Sequence, residues 1–94
     1  MIRLANTHST PVLALDLPSG LDPDTGVPSD PTIRATRTLA LGLPKVGLLQ
    51  AEAASWVGEI WLADISIPMR AYAAVGVAPG PLFVESDLVR MPRA

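Results

Sequence analysis

The chain has 94 residues, of which 49% are hydrophobic, and its mean hydropathy is +0.36, so its composition is typical of a folded domain and excludes a disordered tail. Its formal net charge is −2 and its arginines are scattered, which leaves no electrostatic footprint for nucleic acid or for an anionic membrane. Cysteine is absent, which excludes disulfides, thiolate zinc sites and a cysteine nucleophile, and which is compatible with a cytoplasmic setting.

Three short apolar runs predict β-strands, at residues 12–17, 38–43 and 59–65. Each run is apolar nearly throughout, which is typical of strands that are covered on both faces of a parallel sheet. None approaches the roughly 20 residues that a membrane-spanning helix requires. We therefore expect an α/β fold with interior parallel strands and no membrane span.

The segments between and after these runs predict the remaining elements. Residues 19–36 are rich in turn residues and predict a long ordered loop. Residues 48–56 predict a short amphipathic helix that connects the second strand to the third. After a last apolar run at residues 81–84, residues 86–90 predict a helical turn, and residues 91–94 predict a tail or the start of a linker.

The predicted sheet has too little cover. Three strands that are apolar on both faces need helices on both faces, whereas the sequence predicts a single convincing helix of about two and a half turns. We therefore interpret residues 1–90 as part of a larger α/β domain, or as a module that docks onto a partner which supplies the missing cover.

An acidic residue, Asp16, lies near the carboxyl end of the first predicted strand. Ligands of open α/β sheets bind outside the carboxyl ends of the strands, which gives this carboxylate a functional rationale. A turn-forming aspartate whose side chain accepts local backbone N–H groups explains the position equally well. In the turn that follows, the Ser19 hydroxyl can face the crevice, and Gly20 lets the backbone approach a ligand closely.

Two charged residues mark the carboxyl ends of the other predicted strands: Lys45 comes just after the second strand, and Asp64 lies near the end of the third. Lys45, the only lysine, could reach a phosphate or a carboxylate of a cation site, although a surface lysine near a helix start is the ordinary interpretation. For Asp64, the same strand-end logic gives a functional rationale, with an ordinary surface residue as the alternative. The only histidine, His8, lies in a polar stretch and no Gly-x-Ser-x-Gly motif surrounds Ser19, so we expect neither a histidine-ligated metal nor a serine hydrolase.

Three stretches, in order along the chain, resemble one family. They are VLALDLPSGLD at residues 12–22, TLALGLPKVGLL at residues 38–49 and GEIWLADISIP at residues 58–68. With these stretches the chain resembles the NAD(P)H-hydrate epimerases, also described as the YjeF N-terminal domain. The resemblance implies a Rossmann-like parallel sheet flanked by helices, of which this chain is a C-terminal part. It also implies an isomerase that interconverts the R and S forms of hydrated NADH and NADPH in nicotinamide nucleotide repair.

The resemblance implies roles for individual residues. In the family, the Asp of an Asp-x-Pro-Ser-Gly motif contacts the hydrated nucleotide and the Ser helps to bind a potassium ion, so these roles fall on Asp16 and Ser19. The positions of Gly20, Lys45 and Asp64 in the sequence, and not the resemblance, make them accessory candidates. The family's Gly-Asn-Asn-Gly-Gly-Asp loop has no counterpart in the chain, and Ser66 stands where the family usually has glycine.

The chain also carries expectations about its partners and about rival functions. The resemblance implies hydrated NADH or NADPH as the substrate, a fused or separate dehydratase as a partner, and a homo-oligomer in the full-length form. Two rival interpretations stay open. One is a non-catalytic α/β module that binds a nucleotide or docks onto a partner, and the other is a truncated remnant of a bifunctional epimerase and dehydratase.

Overall fold

The computed structural model describes residues 1–77, 83 and 86–91. Within these ranges, four strands form one sheet and short helices and turns connect them. The helices are α1 (Ile2–Thr7), α2 (Ala54–Val57) and α3 (Met69–Ala74), and the strands are β1 (Leu13–Leu15), β2 (Arg37–Leu41), β3 (Glu59–Ala63) and β4 (Leu88–Met91). Two 3₁₀ turns, Val46–Leu49 and Ala51–Ala53, precede α2.

The sheet has the strand order β1-β2-β3-β4. β1 pairs with β2 in parallel, with Leu15 opposite Leu39, and β2 pairs with β3 in parallel, with Leu39 opposite Trp61. β4 runs antiparallel to β3. The predicted α/β class and the parallel arrangement of the first three strands are therefore confirmed, while the sheet as a whole is mixed.

β4 corrects the helical turn that we predicted over residues 86–90. Leu88–Met91 is a strand whose residues alternate between exposed and half-buried, and it pairs with β3. A segment of this length is too short for its periodicity to separate a helix from a strand, so the pairing with β3 decides the structure. The predicted apolar run at residues 81–84 lies outside the described residues except for Phe83. Of the predicted tail at residues 91–94 only Met91 is described, and it is the last residue of β4 instead of part of a tail.

The three predicted strands end earlier than their apolar runs. Asp16 and Gly42 directly follow β1 and β2, and their φ angles are 72° and 75°. This conformation cannot continue an extended strand, so the chain turns there in spite of the apolar residues that follow. The fully described loop over residues 19–36 contains no regular helix or strand, as predicted.

One face of the sheet carries the hydrophobic core. Its buried members are Leu21, Ala40, Leu48, Ala53, Val57, Ile60 and Leu62. The helix predicted over residues 48–56 is broken at Gln50, whose extended backbone (φ −74°, ψ 145°) separates the two 3₁₀ turns. In a continuous α-helix, Leu48 and Val57 would lie on opposite sides, since nine residues rotate through about two and a half turns. The break lets both side chains reach the same core.

The opposite face of the sheet is only partly covered by the described residues: β1 is exposed there, whereas β2 and β3 are half-buried apart from the exposed Arg37. Leu13 and Leu15 of β1 are 64% and 65% exposed, whereas Ala14 between them is buried. This alternation contradicts the expectation that each strand is covered on both faces, and it agrees with the interpretation that the missing cover lies elsewhere. In the described ranges, no helix has the length and apolarity that a bilayer crossing requires.

Leu48→Ala is expected to lower the free energy of unfolding by about 2 to 5 kcal/mol, because it deletes a fully buried side chain and leaves a cavity in the core. Its neighbour Leu49 is 49% exposed, so Leu49→Ala is a matched control that we expect to change stability by about 0.5 kcal/mol or less. Denaturant unfolding measures both variants. Equal losses would contradict this placement of the core.

Candidate functional site

Asp16 leaves the sheet through a tight turn at the carboxyl end of β1. Its N–H donates to the Leu39 carbonyl at 2.7 Å, and the Leu17 N–H donates to the Leu15 carbonyl at 3.0 Å. The second bond closes a three-residue turn around Asp16, whose φ of 72° lies in the left-handed region, which costs an L-residue about 1 to 2 kcal/mol. Aspartate is one of the residues that adopt this region most readily. The turn directs the chain away from the strand at the edge where ligands of α/β sheets bind.

The Asp16 carboxylate is bound by a lysine. Lys45 Nζ donates to both Oδ1 and Oδ2 at 2.7 Å, and the Leu41 N–H donates to Oδ1 at 3.3 Å. The side chains of Asp16 and Lys45 are 31% and 37% exposed. Hydrogen bonding by Lys45 is the main cause that lowers the pKa of Asp16 from its ordinary value of 3.8; partial burial opposes this shift and the Leu41 N–H adds to it. The carboxylate is therefore ionised at neutral pH.

Gly20 occupies a β-turn that follows Asp16. The Leu21 N–H donates to the Pro18 carbonyl at 3.1 Å, and Gly20, at the third position of this turn, has a φ of 98°, as a type II turn requires. A Cβ on Gly20 would lie 2.6 Å from the Pro31 carbonyl oxygen. The turn and this close approach together explain why glycine stands here.

Ser19 precedes this glycine. Its carbonyl oxygen accepts a hydrogen bond, and its hydroxyl oxygen is available. Its carbonyl accepts the Ile33 N–H at 2.9 Å, which fixes the peptide. Its side chain is exposed, and its hydroxyl makes no hydrogen bond within the described part of the chain. The hydroxyl is therefore available to a ligand, two peptide units beyond the Asp16 turn.

The loop of residues 22–26 holds the segment that carries Lys45. The Asp22 carboxylate accepts two backbone N–H groups of this loop, at 2.8 and 2.9 Å, which closes an Asx turn. The Pro23 carbonyl then accepts the Gly47 N–H at 2.6 Å. A Cβ on Gly47 would lie 2.7 Å from the backbone of Pro23, so this close approach requires glycine. The loop thus fixes the backbone shortly after Lys45.

Asp64 lies at the same edge, directly after β3, but stands apart from the Asp16–Lys45 pair. Its Oδ1 accepts the Ser66 N–H at 2.8 Å, and its backbone N–H donates to the Asp87 carbonyl at 2.8 Å. Among the described residues, no hydrogen bond joins it to the pair, and no group of three or more His, Cys, Asp or Glu side chains could hold a metal ion. The structure therefore brings Lys45 to Asp16 and leaves Asp64 in its own turn.

The sequence did not predict two groups that lie at this edge of the sheet, the Leu41 N–H and the Tyr72 hydroxyl. The Leu41 N–H is a backbone donor, which only the register of β2 against β1 reveals. The Tyr72 hydroxyl lies 3.2 Å from the position that a Cβ on Gly42 would occupy, so α3 approaches the carboxyl end of β2. A glycine directly after a strand was the one sequence signal of such an approach.

Comparison with known proteins assigns the chain to one family. Residues 1–47, half of the chain, match the family described as YjeF-related protein N-terminus. The NAD(P)H-hydrate epimerase of Dehalogenimonas lykanthroporepellens is 38% identical over 93 residues, which are 97% of this chain and 36% of that protein. The NAD(P)H-hydrate epimerase of Weissella koreensis is 43% identical over 67 residues, which are 71% of this chain and 30% of that protein.

A longer relative shows the same similarity. The bifunctional NAD(P)H-hydrate repair enzyme Nnr of Pyrobaculum aerophilum is 44% identical over 75 residues, which are 80% of this chain and 15% of that protein. In each of these relatives, the matched region spans little more than a third of the length or less. The similarity therefore concerns one part of a longer protein in each case.

Gly20→Ala is expected to destabilise the fold more than Gly76→Ala does. Both glycines have positive φ angles, 98° and 78°, so alanine costs about 1 to 2 kcal/mol of backbone strain at either position. Of the two, only Gly20 has backbone atoms that a Cβ would meet, whereas none of the described residues comes within 4 Å of a Cβ at Gly76. We expect the overlap to add about 1 to 3 kcal/mol to the loss at Gly20, measured by denaturant unfolding. Equal losses would contradict the close packing of this turn.

Proposed function

Because the chain belongs to the YjeF-related protein N-terminus family, we propose that it forms the C-terminal part of an NAD(P)H-hydrate epimerase domain and carries one edge of its site. At this site the R and S forms of hydrated NADH and NADPH interconvert. The relatives named NAD(P)H-hydrate epimerase support the proposal. The parallel arrangement of β1, β2 and β3 supports a Rossmann-like sheet in the complete domain.

The observation that carries the proposal is the placement of the Asp16 carboxylate. It lies at the carboxyl end of β1, it is ionised at neutral pH, and it is 31% exposed. Hydration of a dihydronicotinamide ring adds a hydroxyl group to the ring, and epimerisation inverts the carbon that bears this hydroxyl. An ionised carboxylate can accept a hydrogen bond from the hydroxyl, so we assign substrate binding to Asp16.

We assign a potassium ligand to Ser19. Its hydroxyl is exposed and makes no hydrogen bond within the described residues, and a hard cation prefers oxygen ligands. This oxygen fits such an ion as one ligand, and further oxygen ligands would be needed to complete the site. Bound potassium would supply a positive charge to the site. Gly20 supports Ser19 by forming the turn, and Asp64 stays an accessory candidate.

The proposal extends to the longer polypeptide. The opposite edge of the site would come from the family's Gly-Asn-Asn-Gly-Gly-Asp loop, which this sequence does not contain. The Pyrobaculum relative is named as a bifunctional repair enzyme, so we propose that a fused or separate dehydratase acts on the same hydrated nucleotides. A homo-oligomeric full-length form and a cytoplasmic setting belong to the same proposal.

Asp16→Asn is expected to lower kcat/KM for epimerisation by about 100-fold or more, because a neutral amide replaces the ionised acceptor. Ser19→Ala is expected to raise the potassium concentration that gives half-maximal activity, because one oxygen ligand is lost. Epimerisation of hydrated NADPH by the intact polypeptide that carries this chain, followed across a potassium series, measures both effects.

Asp24→Asn and Ser29→Ala are matched controls on exposed residues of the same loop. We expect both to retain wild-type turnover and potassium dependence. Wild-type behaviour of Asp16→Asn and Ser19→Ala would overturn the assignment of these residues. A wild-type polypeptide that binds the nucleotide without epimerising it would favour the rival interpretation of a non-catalytic binding module.

A further inference from the structure

Lys45 directs two of the three N–H groups of its ammonium to a single carboxylate. The distances from Nζ to Oδ1 and Oδ2 of Asp16 are both 2.7 Å. The sequence also left open a lysine that reaches a phosphate, but in this geometry at most one N–H is left for such a contact. Lys45 and Asp16 therefore form one unit, in which the ammonium covers one side of the carboxylate.

The backbones that carry this pair are held on both sides. The Lys45 carbonyl accepts the Leu48 N–H at 3.1 Å, and the next turn is tied to the loop of residues 22–26 by the 2.6 Å bond from Gly47. On the other side, the Asp16 N–H donates to β2 at 2.7 Å. A lysine on a free segment would lose much side-chain entropy in a single bidentate geometry. Here the fold fixes the backbones of Lys45 and Asp16 close together, so the ion pair orders less of the chain when it forms.

We infer that Lys45 is a positioning residue of the proposed epimerase site, which orients the Asp16 carboxylate toward the substrate. This inference rests on the proposed function. Oδ1 of Asp16 accepts hydrogen bonds from Lys45 and Leu41, whereas within the described residues Oδ2 accepts only that of Lys45. Oδ2 therefore keeps an open acceptor position, and it is the oxygen that accepts the substrate hydroxyl.

The charge environment of Asp16 makes the role of Lys45 measurable. Among the described residues, Lys45 is the one charged side chain that bonds the Asp16 carboxylate. Asp64, at the end of β3 on the far side of β2, bonds its own loop. Without the ammonium, the carboxylate retains only the 3.3 Å bond from Leu41. It is then free to rotate, and its pKa rises. Activity that needs an ionised and oriented Asp16 falls as a result.

Lys45→Met in the intact polypeptide tests this role, since it removes the ammonium and keeps most of the apolar stem. We expect kcat/KM for hydrated NADPH to fall about 10- to 100-fold. We also expect the acid limb of the pH profile of kcat/KM to shift to higher pH, because the pKa of Asp16 rises. Arg3→Met is the matched control, because it removes a cation from an exposed ion pair with Asp30 (3.1 Å). We expect this control to keep the wild-type value and the wild-type pH profile.

Chemical rescue separates positioning from general loss of structure. Lys45→Cys can be alkylated with 2-bromoethylamine, which restores an ammonium on a side chain of nearly the same length. The chain contains no native cysteine, and wild-type polypeptide treated with the same reagent is the control. We expect alkylation to recover most of the lost kcat/KM and to return the acid limb to its wild-type position.

The outcomes distinguish this inference from the proposed function. An active wild type together with a Lys45→Met variant within about twofold of it, or a loss that alkylation does not restore, would overturn the role of Lys45 alone. A wild type without epimerase activity would overturn the proposed function and, with it, this inference. Restored activity after alkylation, with an unchanged Arg3→Met control, supports both.

Discussion

The parallel pairing of β1 with β2 is the constraint on which the site depends. Asp16 and Lys45 are 29 residues apart in the sequence, and they meet because parallel strands end at the same edge of the sheet. The register that sets Leu15 opposite Leu39 also brings the Leu41 N–H to the Asp16 carboxylate. A shift of one residue would break these contacts and turn Ala14, the buried residue of β1, to the opposite face of the sheet.

The hydrophobic core, more than the ion pair, holds this edge together. A partly exposed ion pair contributes about 1 kcal/mol or less, whereas the left-handed backbone at Asp16 costs about 1 to 2 kcal/mol. The local interactions of Asp16 therefore roughly cancel. One buried leucine such as Leu48 contributes about 2 to 5 kcal/mol, so packing and strand pairing impose the conformation of the turn. Strained backbone that is held in this way is typical of functional sites.

The sequence predicted the parallel strands because their apolar runs are distinct, but it did not predict where they end, since apolar residues continue past Asp16 and Gly42. The segment predicted as a helix over residues 48–56 is helical but interrupted at Gln50, because Leu48 and Val57 both contribute to one core and a continuous α-helix would separate them. The position of Asp16 was predictable from strand-end logic, and its role came from the family resemblance. The contact with Lys45 depends on register and on the docking of Gly47 against Pro23, which no local pattern encodes.

The most direct test of this arrangement is a carbon-13 NMR titration of the Asp16 carboxyl group in the wild-type protein and in Lys45→Met. We expect the wild-type pKa to lie below 3.8 and the pKa of the variant to lie above the wild-type value, because the main donor is gone. A lowered folded-state pKa stabilises the fold at pH values above the ordinary pKa, and this contribution is lost as the pH falls through the lowered pKa. The difference in unfolding free energy between the two proteins should therefore be present at neutral pH and shrink in acid. Equal Asp16 pKa values in the two proteins would contradict the contact on which the site is built.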